Sequence, residues 1–144
     1  MTAQEYLNQL SVINENIKNC TAELEENRDK IKSISSPNLS GRSSTSGNQG
    51  NARFTFLVER IETLEKRLND LESAKNVIID QIRSLNNASY IRILLNYYNK
   101  GKDHTEIAAE INYEYGYERK LHSRALDAFQ KKFTFLEKRN KKEQ

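Results

Sequence analysis

Tryptophan is absent from this chain, proline, methionine and cysteine occur once each, and histidine occurs twice. Each scarcity closes off a class of chemistry. The single cysteine, Cys20, permits neither an internal disulfide nor a thiolate zinc site, and two histidines are too few for a metal-ligand set. No apolar run approaches the ~18 residues of a membrane span, so no membrane partner is expected. Residues 1–10 lack the basic-then-apolar order of a signal peptide, which places the expected location in the cytoplasm. Three of the five glycines (Gly41, Gly47, Gly50) share one stretch, but without a preceding strand or a following Gly-Lys-[ST] they do not make a phosphate loop. No nucleophile with an adjacent base and no acid–base pair stand out, so the expectation is a non-enzymatic binding protein without a cofactor or metal.

What is present is charge and helical periodicity. The chain has 144 residues, 36% of them hydrophobic and 30% charged, with a mean hydropathy of -0.85, enough for one modest core. The net charge of +3 describes an ordinary protein, but its distribution is uneven. Basic and acidic residues balance over residues 1–99. Over residues 115–144, Arg119, Lys120, Arg124, Lys131, Lys132, Lys138, Arg139, Lys141 and Lys142 face only Glu118, Asp127, Glu137 and Glu143.

The first helix is announced by Thr2 and Glu5, the two ends of a capping box. Steps of four and three from Tyr6 reach Leu10, Ile13, Ile17, Cys20, Leu24, Asn27, Ile31 and Ile34, a coiled-coil seam broken only by Asn27. Residues 35–53 follow as a flexible connector rich in Ser and Gly, with Pro37 blocking helix continuation. A second seam runs through Phe54, Leu57, Ile61, Leu64, Leu68, Leu71, Lys75, Ile78, Ile82 and Leu85. Two matched heptad helices on a floppy connector most economically form an antiparallel hairpin. Pairing between chains, which would make a homodimer, is the alternative, with Asn27 and Lys75 either marking register or merely tolerated.

Beyond Asn86 and Asn87 the pattern shortens. A third helix carries Ile91, Ile93, Leu94, Tyr97 and Tyr98, and Gly101 ends it in a left-handed cap. Asp103 and Glu106 then cap a two-turn helix bearing Ile107, Ala108 and Ile111, and Asn112 suits a left-handed turn. A last helix starts near Tyr115 or Gly116 and carries Leu121, Ala125, Leu126, Phe129, Phe133 and Leu136. Residues 138–144 are a basic tail. The fold class is therefore all-α, a coiled-coil hairpin over residues 1–87 followed by a helix-turn-helix bundle over residues 88–137.

In a helix-turn-helix the second helix enters the major groove. Arg119 and Lys120 can reach guanine edges or phosphates, and Ser123 and Arg124 follow a turn later where backbone contacts are made. Tyr115 and Tyr117, at the head of the same helix, complete the candidate set for double-stranded DNA. Ile107, Ala108, Ile111, Leu121 and Ala125 are the small and aliphatic residues expected between the two helices. The tyrosines clustered in this third of the chain could stack on single-stranded bases, but core filling is the better expectation. His104 and His122 have no partner in local sequence and read as satisfied or solvated side chains.

The stretch GKDHTEIAAEINYEYGYERKLHSRALDAF, residues 101–129, resembles the C-terminal helix-turn-helix of short phage and prophage proteins related to the ArpU and RinA transcriptional regulators, which in turn resembles region 4 of sigma factors. Gly101-Lys102, Glu106-Ile107-Ala108, Asn112-Tyr113 and Leu121 through Leu126 carry the likeness, and the opening TAQEYLNQL is similar to one branch of these proteins. The resemblance implies DNA binding and control of phage transcription, often beside RNA polymerase. The chain departs from the pattern at Glu114, Tyr115 and Gly116, where a hydroxyl residue and a polar or basic pair are usual. Glu118 stands where an aliphatic residue would pack against the preceding helix.

Overall fold

A computed structural model describes residues 1–35 and 47–137, and these are all-α: α1 (Ala3–Ser35), α2 (Gly47–Arg83), α3 (Ala88–Leu94), α4 (His104–Ile111) and α5 (Tyr115–Lys132), with a π-helical turn at Leu95–Asn99. The basic tail, residues 138–144, and residues 36–46 of the connector lie outside the described residues. The expected connector is shorter than its composition implies, because α2 already begins at Gly47. Once a long helix is nucleated, each added residue gains one hydrogen bond, and that outweighs the modest glycine penalty at Gly47 and Gly50.

Local chemistry sets most boundaries. The Thr2 hydroxyl accepts the Glu5 amide at 3.2 Å, opening α1. Asn87 Oδ1 accepts from Tyr90 at 3.1 Å to open α3, and Asp103 Oδ1 accepts from Glu106 at 2.8 Å to open α4. Where α3 gives way to the π turn, the Lys100 amide reaches Leu95 O at 3.0 Å, and the chain leaves through Gly101 at φ 70°. Asn112 takes the left-handed conformation (φ 58°), and the Tyr113 amide returns to Ala108 O at 3.0 Å, a Schellman closure. The last helix stops at Lys132, short of the expected Phe133 and Leu136. Leu136 is nonetheless buried, delivered by a turn whose carbonyl Gln130 holds at 3.1 Å.

Two compact units divide the chain, and they cut across the long helices. One comprises Met1–Asn14 with Ala74–Gln144. Its main core gathers Ala3, Leu7 and Leu10 from α1, Ile78, Ile79 and Ile82 from α2, Leu94 and Tyr98, and Ala125, Leu126 and Phe129 from α5. A smaller cluster of Ile93, Ile107 and Leu121 joins α3, α4 and α5, with Ile111 against it. Ala125, expected between α4 and α5, belongs to the main core instead. Glu137 donates its amide to Met1 O at 2.9 Å, tying the segment after α5 to the start of α1.

The other unit, Glu15–Ser73, is built on Cys20, Leu24 and Leu64, flanked by Ile61, Leu68 and Leu71. The seams pair within the chain and run antiparallel: Cys20 Sγ donates to Leu64 O at 3.3 Å, while the later Glu23 meets the earlier Arg60 at 2.5 Å. Asn27 is buried but turns its amide onto Glu23 O of its own helix at 2.7 Å, so it needs no partner helix. Among the described residues no helix is long and apolar enough to cross a membrane.

Candidate nucleic-acid interface

The α4–turn–α5 geometry follows from the spacing of apolar residues in α5. At 100° per residue, Glu118, Leu121, His122, Ala125, Leu126 and Phe129 share the inward face, and all are buried. The opposite face carries Arg119, Lys120 and Arg124, all exposed, with Ser123 half-buried beside them. The Arg119 guanidinium lies 5.7 Å from the Tyr115 ring centroid, a contact that holds the side chain without neutralising it. Neither Arg119 nor Lys120 forms an ion pair among the described residues. The six candidate residues thus lie on one helix, and three of its cations face outward.

The tyrosines divide. Tyr98 is buried and Tyr90 and Tyr97 pack against the core, as expected of core-filling rings. Tyr113, Tyr115 and Tyr117 depart from that expectation: they are 39%, 49% and 44% exposed, and Tyr113 and Tyr117 meet edge to face at 4.9 Å. They occupy the turn and the first turn of α5, ahead of Glu118, where the inward face of the helix begins.

His104 is a satisfied side chain, and its partner comes from the next helix. His104 Nδ1 lies 2.8 Å and 3.1 Å from the two carboxylate oxygens of Glu118, whose side chain is wholly buried. A carboxyl without solvent needs a hydrogen-bonding partner, and the first residue of α4 supplies it. The Tyr97 ring stacks on His104 at 4.7 Å, His122 stands edge-on to His104 at 4.9 Å, and Tyr98 stacks on His122 at 5.4 Å. The cluster is not legible in the sequence because Glu118 and His122 lie 14 and 18 residues from His104, and His122 lies 24 and 25 residues from Tyr98 and Tyr97. The one legible signal was Glu118 itself, an acid in an aliphatic position.

Beside the cluster opens a cleft of 460 Å³ lined by Gln4, Tyr97, His104, Arg119, Lys120, His122, Ser123 and Leu126. No family model, no curated protein and no solved structure matches this chain. The cleft is lined by two cations, two imidazoles, the hydroxyl residues Ser123 and Tyr97 and an amide, and by no acid, since the buried Glu118 is not among its lining residues.

A second cleft, of 310 Å³, lies by the π turn and brings Arg83, Arg92 and Lys100 around Glu110. Lys102 hydrogen-bonds the Glu110 carboxylate and, with Lys100 and Arg92 nearby, holds that carboxyl below the usual range. Among the described residues no group of three His, Cys, Asp or Glu side chains could hold a metal ion.

Proposed function

We propose that the protein binds double-stranded DNA through α5 and regulates phage or prophage transcription, acting beside RNA polymerase. The observation that carries the reading is the outward face of α5, where Arg119, Lys120 and Arg124 are exposed on the second helix of a capped helix-turn-helix. Basic side chains without acidic partners are what a phosphate backbone attracts, and an exposed helix face is what a major groove admits. The resemblance of residues 101–129 to the ArpU and RinA group supplies the transcriptional context. Tyr115 and Tyr117 stand at the head of α5, exposed, where rings can lie against sugar or base.

Fluorescence anisotropy against fragments of the source genome and against unrelated duplex, over a salt series, tests this. The expected result is selective binding that survives rising salt. In Arg119→Ala with Lys120→Ala, affinity falls and the salt dependence flattens by about two released counterions, with helical content unchanged. Equal affinity in that double variant removes the proposed face.

A second reading, a protein-binding adaptor, has one observation in its favour: Phe54 and Phe56, near the start of α2, are 42% and 64% exposed. Sedimentation and pull-down with RNA polymerase separate a self-associating or docking protein from a monomeric DNA binder.

A further inference from the structure

We infer that the cleft between His104 and α5 is a phosphate-binding site, so that Arg119, Lys120 and Ser123 grip a phosphoryl group and do not read base edges. Where that phosphate belongs to DNA the inference rests on the reading above, and where it belongs to a free phosphomonoester it rests on the cleft alone. Shape points to an anion. Arg119 and Lys120 are exposed to solvent, yet they share a concave wall with Gln4 of α1 and with Tyr97, so whatever they hold also meets groups from other parts of the chain. Concavity surrounds a ligand with donors from several directions, which suits a tetrahedral oxyanion better than the flat edge of a base pair.

Charge points the same way. Arg119 and Lys120 contribute two cations without an ion-pair partner among the described residues, and no lining residue is acidic. A guanidinium offers a planar fork that matches two phosphate oxygens, and an ammonium adds a rotatable point charge. Glu118 engages Nδ1 of His104, which fixes the ring and leaves Nε2 as its remaining polar atom. The Tyr97 ring and Leu126 supply an apolar wall, which strengthens the charge–charge attraction. At 460 Å³ the cleft exceeds a bare phosphate and falls in the range of about 300–1,000 Å³ that holds small ligands, so the phosphoryl group carries a further moiety.

The chain has two histidines and both line this cleft, which makes their ring resonances a built-in reporter. The full chain is titrated with inorganic phosphate near neutral pH and followed by heteronuclear NMR of the imidazoles, with sodium chloride at matched ionic strength as the control. The expected result is a saturable shift of the His104 and His122 rings with phosphate only. Arg119→Ala and Lys120→Ala each weaken it about tenfold or more, while Lys131→Ala, on the same helix but outside the cleft, leaves it unchanged. The absence of a saturable shift, or equal weakening by all three variants, overturns the inference. A second arm adds a short duplex. Duplex that displaces phosphate from the rings assigns the site to the DNA backbone. Phosphate binding without duplex binding keeps the cleft as a site for a free phosphomonoester and removes the DNA reading, whereas duplex binding that leaves the rings unmoved removes the cleft and keeps the DNA reading.

Discussion

The two compact units solve the same problem, hiding helix faces from water, with different materials. Glu15–Ser73 does it with a single seam, Cys20, Leu24 and Leu64 at the centre and half-buried Ile61, Leu68 and Leu71 beside them, bordered by the half-buried ion pair Arg60–Glu23 and the exposed pair Arg28–Glu65. The unit that holds α3, α4 and α5 uses two apolar clusters and places between its helices a wholly buried carboxylate, two imidazoles and a tyrosine stack. A two-helix seam keeps one side open to solvent at every level, so it tolerates local defects. A multi-helix core encloses its members, so it can hold a polar group dry, and it is penalised heavily when a partner is removed.

That contrast can be broken from its strongest point downward. Phe129 is fully buried at the centre of the enclosed core, and Phe129→Ala is expected to destabilise by about 4 kcal/mol. Leu24→Ala in the seam costs about 2 kcal/mol, because helices that are open on one side can close over the gap. Chemical denaturation of both variants checks the order, and equal losses would mean that the seam is as enclosed as the bundle. Next comes the buried pair. His104→Ala strands the Glu118 carboxylate and is expected to lower stability by about 3 kcal/mol, whereas His104→Ala combined with Glu118→Leu recovers most of that loss, since it removes both polar groups together. Failure of the double variant to recover would mean that the pair also fixes the α4–α5 angle through other contacts.

The smallest effect is at the surface. Hydrogen bonding by Lys102 holds Glu110 below the usual carboxylate range, so whatever stability this exposed carboxylate adds is fully present above that range and is lost as pH falls through its lowered value. Thermal melts of the protein and of Glu110→Gln are expected to differ slightly near neutral pH and to converge in acid. A gap that persists in strong acid would tie Glu110 to the fold by something other than its charge.

Much of the architecture was legible in residues close together in sequence. The Thr2 and Asp103 caps, the left-handed Asn112, the end at Gly101 and the seams centred on Leu24 and Leu64 all depend on neighbours within a turn or on period, and both are written locally. The start of α2 is not legible, because Gly47 and Gly50 look like connector by composition yet extend a helix already held by the residues after them. By residue type Tyr113, Tyr115 and Tyr117 suit a core, but their position ahead of the inward face of α5 leaves them exposed, as contact with a partner at Tyr115 and Tyr117 requires. The basic face of α5 was readable from phase alone. The cleft beside it was not, since Gln4, Tyr97 and His104 come from three other parts of the chain.

The sequence by itself determined that the described chain is helical, where its helices cap and turn, and which face of α5 is basic, because propensity, capping and periodicity act over a few residues. The tertiary structure alone decided that Ala3, Leu7 and Leu10 serve the same core as Phe129, that His104 answers Glu118, and that Arg119 and Lys120 line a cleft. Those are pairings between residues far apart in the chain, and only the burial of several helix faces at once selects them.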